Sequence, residues 1–124
     1  MDYSILIYGV EGTFDRLPPE KQEEAMQGHY ELQAALQKRG AYATAKLMPT
    51  TSAVTLRPVT EFGQKPTLMD GPFAETKERF LGFYVARFDS LEEAISFGER
   101  ISSPYVSIEI RPVAWAGGLL GEQQ

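Results

Sequence analysis

Residues 3–8 (Tyr-Ser-Ile-Leu-Ile-Tyr) are nearly all aromatic or branched aliphatic and stop at Gly9, the pattern of a strand buried in a sheet. A loop from Gly9 to Arg16 leads into Leu17-Pro18-Pro19-Glu20, where prolines and then acids mark the first turn of a helix. Ala25, Leu32 and Leu36 recur on one face of that helix, which should end where Lys38 and Arg39 complement the dipole and Gly40 can cap. Extended segments follow at 43–48 and 54–59. A turn at 61–64 precedes a short strand at 66–69, broken by Asp70-Gly71-Pro72-Phe73. From Phe80 to Phe88, period-2 alternation puts Phe80, Gly82, Tyr84, Ala86 and Phe88 on one face, and Leu81, Phe83 and Val85 on the other. Ser90-Leu91-Glu92-Glu93 forms a capping box for a second helix with Leu91, Ala94, Ile95 and Ile101 inward. Val106, Ile108 and Ile110 then alternate with Ser107, Glu109 and Arg111 in a last strand closed by Pro112.

Strands and helices in this order, each helix burying one stripe, predict an α+β domain. The expected architecture is a ferredoxin-like two-layer sandwich, an antiparallel sheet with two helices on one face. The domain should span 3–113, with 114–124 as a C-terminal tail. Such a sheet leaves one face open, and here that face would carry large apolar groups such as Phe80, Tyr84 and Phe88, or the opposite set. Pairing of two sheets in a two-fold homodimer is therefore expected, with Trp115 and Leu119-Leu120 of the tail over part of the seam.

Composition narrows the function. A chain of 124 residues with 43% hydrophobic and 23% charged residues is one domain of ordinary globular make-up. Its formal net charge of −5 argues against direct nucleic-acid or anionic-membrane binding. There is no cysteine, so thiol nucleophiles, thiolate metal sites and disulfides are excluded, and a reducing cytoplasm is the expected compartment. The start of the chain lacks the basic and apolar regions of a signal peptide. Gly9-Val10-Glu11-Gly12 lacks the third glycine of a dinucleotide fingerprint and the Gly-Lys-Ser/Thr of a P-loop, and no nucleophile elbow is present. With a single histidine, neither a metal site nor any other cofactor is expected.

That histidine, His29, falls on the apolar stripe of the first helix. An inward imidazole can transfer protons near neutral pH, or it can be a hydrogen-bonded polar group in a core. The run Asp70-Gly71-Pro72-Phe73-Ala74-Glu75-Thr76-Lys77-Glu78 reads first as a turn, since Asp accepts backbone bonds, Gly permits positive φ and Pro restrains the backbone at the turn's exit. Turn chemistry does not account for the aromatic Phe73 and the charged residues after it.

The run at 70–78 resembles the signature of the DGPF subgroup of YCII-related proteins. Tyr3–Tyr8, Met26 with His29, Leu81-Gly82-Phe83-Tyr84, and Ser107–Val113 fall in the order that family shows. The resemblance covers the chain except the last residues, from Ala114 on. It implies a ferredoxin-like fold that dimerises as an α+β barrel, and a cleft where His29 faces Asp70 as a catalytic dyad. It also implies elimination chemistry on small ring-derived acids, and an association with extracytoplasmic-function sigma factors. A carboxylate beside an imidazole would fix its tautomer and make the far nitrogen a better base, as a cofactor-independent lyase or isomerase needs. Lys77 and Arg111 are candidates to hold a developing oxyanion, each with a salt bridge or solvated charge as the alternative; Glu109 is the obvious neighbour of Arg111. Tyr8 and Phe73 complete the candidate ligand contacts. The readings left open are a catalyst acting on a small anionic organic molecule, a noncatalytic ligand-binding or interaction module in a sigma-factor circuit, and a structural hydrogen bond at His29.

Overall fold

The computed structural model describes residues 1–121. Strand β1 (Asp2–Val10) is followed by helix α1 (Pro19–Arg39), strands β2 (Tyr42–Lys46), β3 (Val54–Leu56), β4 (Leu68–Asp70) and β5 (Glu78–Arg87), helix α2 (Leu91–Gly98), strand β6 (Val106–Pro112) and a short helix α3 (Gly118–Gly121). Four strands form an antiparallel sheet in the order β2-β5-β1-β6, while β3 and β4 form a separate hairpin. That strand order, with α1 and α2 on one face, is the expected ferredoxin-like sandwich. Residues 122–124, the end of the expected tail, lie outside the described residues.

The helix-covered face carries the core. Tyr3, Ile5 and Ile7 of β1, Tyr84 and Ala86 of β5, and Phe88 just after it pack with Leu32 and Leu36 of α1, Ala94 of α2, and Ile101. In α1 the expected stripe holds: Leu32 and Leu36 are buried, and Ala25 and His29 are half-buried above the sheet. Ser90 Oγ accepts from the Glu93 N–H at 3.1 Å, closing the N-terminus of α2 as the capping box requires. The inward stripe of α2 differs from expectation, because Leu91 and Ile95 are exposed while Ala94, Phe97 and Gly98 face inward. The helix lies close on β6, with Gly98 against Ile108 and Ile110, and tightens into a 3-10 turn at Glu99–Ile101 that brings Ile101 into the core.

The open face departs from simple alternation at one point. Ile7 pairs with Gly82 but Tyr8 pairs with Phe80, so Leu81 is an extra residue, a β-bulge. Leu81 therefore turns toward the core and Phe80 moves to the open face, away from the Tyr84 face where alternation placed it. There Phe80 stacks with Phe83 and meets Tyr8, with ring centroids 6.3 and 5.6 Å apart. Leu6, Val85, Glu109 and Arg111 share this face by cross-strand register.

Residues 47–77 leave the sheet between β2 and β5 and carry the β3–β4 hairpin. Glu11 anchors this arm, its carboxylate accepting from the Thr50 N–H and hydroxyl at 2.9 Å each. The 54–59 and 66–69 segments are shorter or shifted as strands, because only three residue pairs, from Val54 with Asp70 to Leu56 with Leu68, align.

Helix α1 rides close to the turn after α2. A Cβ on Gly28 would stand 2.3 Å from the Arg100 carbonyl oxygen, which belongs to the backbone. Gly28→Ala should therefore lower stability by about 1–3 kcal/mol, despite alanine's helix preference of about 1 kcal/mol over glycine. Thermal denaturation checks it: a lower Tm is expected, and an unchanged or raised Tm would contradict the close approach.

Candidate functional site

His29 comes to the sheet from the middle of α1, and its Nδ1 lies 2.8 Å from the Tyr84 hydroxyl on β5. Gln33, one turn further along α1, donates from Nε2 to the same hydroxyl oxygen at 3.1 Å. Tyr84 is only 2% exposed, so its hydroxyl needs these partners. Register puts Thr44 opposite Tyr84 and Lys46 opposite Gly82. The Lys46 ammonium sits 5.3 Å from the centre of the Phe14 ring.

Two effects push the His29 pKa below its ordinary 6.5: burial, then the positive charge of Lys46. Burial raises the Tyr84 phenol. Both effects at His29 favour the neutral imidazole over the charged one. Among the described residues no hydrogen bond occupies its Nε2, and no buried side-chain polar atom lacks a partner, so Nε2 meets solvent.

The expected dyad is not closed in the protomer. Asp70 is exposed at the end of β4, paired through its backbone with Val54, and travels with the hairpin rather than with the sheet. Neither a hydrogen bond nor an ion pair joins it to His29, whose Nδ1 is engaged by Tyr84 instead. The turn reading of the run holds: Gly71 has φ +95°, its N–H bonds the Ala53 carbonyl, and its carbonyl accepts from the Thr55 hydroxyl at 2.8 Å. Arg79 reaches back from β5 to the Ala74 carbonyl and holds the rest of the run near the sheet.

The other candidates gather elsewhere. Tyr8 donates to Glu109 Oε1 at 3.3 Å, and burial and Glu109 raise its pKa. Arg111 pairs with Glu109 Oε2 at 3.1 Å, the salt-bridge alternative. A cleft of about 720 Å³ runs between the open face and the arm, lined by Tyr8, Phe80, Leu47, Pro49, Ala53 and Pro72 among others. Lys77 lines a second cleft of about 600 Å³ with Glu11, Glu75 and Arg79. Phe73 is 73% exposed and lines neither. The larger cleft and His29 thus occupy opposite faces of the sheet, and only the His29 face groups an imidazole with a hydroxyl, an amide and an ammonium. Among the described residues no three His, Asp or Glu side chains cluster to hold a metal ion, and no helix is long and apolar enough to cross a membrane.

Sequence reasoning missed Tyr84, Gln33 and Lys46 as site residues. For Gln33 a signal existed, since it lies four residues after His29 on the same face. Tyr84 carries the one hydroxyl on the face shared by Gly82, Ala86 and Phe88. Lys46 offers no signal beyond its parity with Thr44.

If burial and Lys46 govern His29, its NMR titration midpoint should fall below 6.5. The unfolded chain then binds the proton more readily, so this contribution to stability is fully present above about pH 6.5. It is lost as pH falls from there through the folded-state pKa. A midpoint above 6.5 would instead mark a carboxylate neighbour.

The model of the YCII-related domain matches residues 1–114. A protein of Rhizobium meliloti (strain 1021), described only as uncharacterized, is 37% identical over 118 residues, covering 92% of this chain and 93% of that protein. With the domain match spanning both the sheet and the arm, this chain belongs to the YCII-related family.

Proposed function

We propose that this YCII-related protein binds a small anionic organic molecule beside His29 and moves a proton on it without a metal or organic cofactor. The carrying observation is the half-buried, neutral imidazole tied at Nδ1 to Tyr84, with Nε2 open to solvent near Lys46. In a protein of net charge −5, a cation beside a proton-carrying ring is a local feature that favours an anion. An imidazole uncharged at pH 7 can exchange protons with substrate, as elimination or isomerisation next to a carbonyl needs. The run at 70–78 supports placement in the DGPF subgroup, and the absence of cysteine supports action in the cytoplasm.

Incubating the protein with a panel of small carboxylic acids in deuterated water tests catalysis. Proton NMR should show exchange or elimination next to the carbonyl of at least one acid. His29→Gln should slow it by about 10²–10⁴-fold while the circular dichroism spectrum stays unchanged. No reaction with any acid, or equal rates in the variant, would count against proton transfer.

A second, noncatalytic reading has its own support. Val54, Leu56, Phe62, Leu68 and Phe73 of the arm are all exposed, a density of apolar groups that fits an interaction module in a sigma-factor circuit. In either case we infer a two-fold homodimer across the open face, where Leu6, Phe80, Phe83 and Val85 lack cover from α1 or α2; Trp115 is 80% exposed and free to join the seam. Sedimentation velocity at micromolar concentration should show a dimer, with an interface above roughly 1,200 Å². A monomer would refute the pairing.

A further inference from the structure

The Tyr84 hydroxyl has one hydrogen to give. Gln33 already donates to its oxygen at 3.1 Å, and the neighbouring Thr44 hydroxyl spends its own hydrogen on the Phe83 carbonyl at 2.8 Å. Thr44 Oγ1 also adjoins the Tyr84 hydroxyl, but the acceptor in hydrogen-bond geometry is His29 Nδ1 at 2.8 Å. A neutral imidazole whose Nδ1 accepts must carry its hydrogen on Nε2, the nitrogen that meets solvent. Close by, Lys46 forms no ion pair among the described residues and rests on the Phe14 ring.

We propose that Tyr84, and not Asp70, is the positioning residue of His29. It holds the imidazole as the Nε2–H tautomer, so that this N–H and the Lys46 ammonium together receive an anionic oxygen, such as a carboxylate or an enolate, of the ligand. This rests on the proposed anion-binding role of the His29 face and specifies it. In its resting state His29 presents a hydrogen-bond donor to the substrate, which makes it an oxyanion stabiliser; it can act as a base only once its free lone pair faces the substrate. Burial and then Lys46 disfavour a charge on the ring, and Lys46 supplies the charge that the ring does not carry. The Tyr84 and His29 rings, 5.9 Å apart and inclined by 26°, lock the donor direction.

The test uses the full chain labelled with ¹⁵N at histidine. At neutral pH, long-range proton–nitrogen correlation should show wild-type Nε2 as the protonated nitrogen and Nδ1 as the bare one. Tyr84→Phe should turn this into a mixture of tautomers, and Asp70→Asn should leave it as in wild type. Sodium acetate, set against sodium chloride at equal ionic strength, should move the His29 signals saturably, and Lys46→Gln should weaken that response at least tenfold. If Tyr84→Phe does not fold, the wild-type tautomer and the Lys46→Gln titration still decide. A wild-type Nδ1–H tautomer, or a tautomer altered by Asp70→Asn and not by Tyr84→Phe, overturns the assignment while leaving anion binding standing. The expected tautomer with no specific response to acetate overturns the donor pair, and with it the anion-binding reading of this face.

Discussion

A hydroxyl buried in an apolar layer must find hydrogen-bond partners, and at Tyr84 this requirement fixes how α1 lies on the sheet. The phenol is 2% exposed among Ala86, Phe88 and Leu32, where an unpaired hydroxyl would cost about 1–3 kcal/mol. Its partners come from two successive turns of one helix, His29 and Gln33, so both the rotation and the height of α1 are constrained at once. Gly28 makes the same placement possible from the other side by letting the helix come down onto the Arg100 carbonyl. The candidate chemistry is therefore a by-product of core packing: the imidazole is aimed by the same bonds that satisfy the core.

The two faces of the sheet divide the labour differently. On the helix side, polar groups are few and each is held by a named neighbour. On the open side, Tyr8, Phe80 and Phe83 form an aromatic row beside the Glu109–Arg111 pair, and the arm overhangs a cleft larger than a single small acid fills. A group tuned by burial needs the first environment, and a surface that meets another macromolecule needs the second.

The fold was legible because its signals are local and periodic. The β6 alternation, the Ser90–Glu93 cap and the α1 stripe each depend on residues within a few positions of one another. What escaped were the side-chain meetings decided by partners distant in sequence. His29 and Tyr84 are 55 residues apart, and no spacing rule joins them. The exposure of Leu91 and Ile95 reflects how α2 sits on β6, and the side on which Phe80 falls depends on one unpaired residue. Asp70 was drawn toward His29 by the resemblance, yet its backbone belongs to a hairpin with its own two-stranded ladder. The turn chemistry of Asp70-Gly71-Pro72 was legible in its residue types; its place in space was not.

The extra residue at Leu81 has a consequence for how this chain can change. Upstream of it lies the arm; downstream lies a strand whose every side chain is committed to a face. Because the bulge carbonyl bonds the Leu47 N–H across the edge at 2.9 Å, the two ends of the arm are clasped at one point, and Glu11 clasps it at another. Length and sequence between 47 and 77 are thereby uncoupled from the pairing of β5 with β1. The arm behaves as a replaceable attachment on a fixed frame, so new specificity can be acquired there without re-solving the packing of the core.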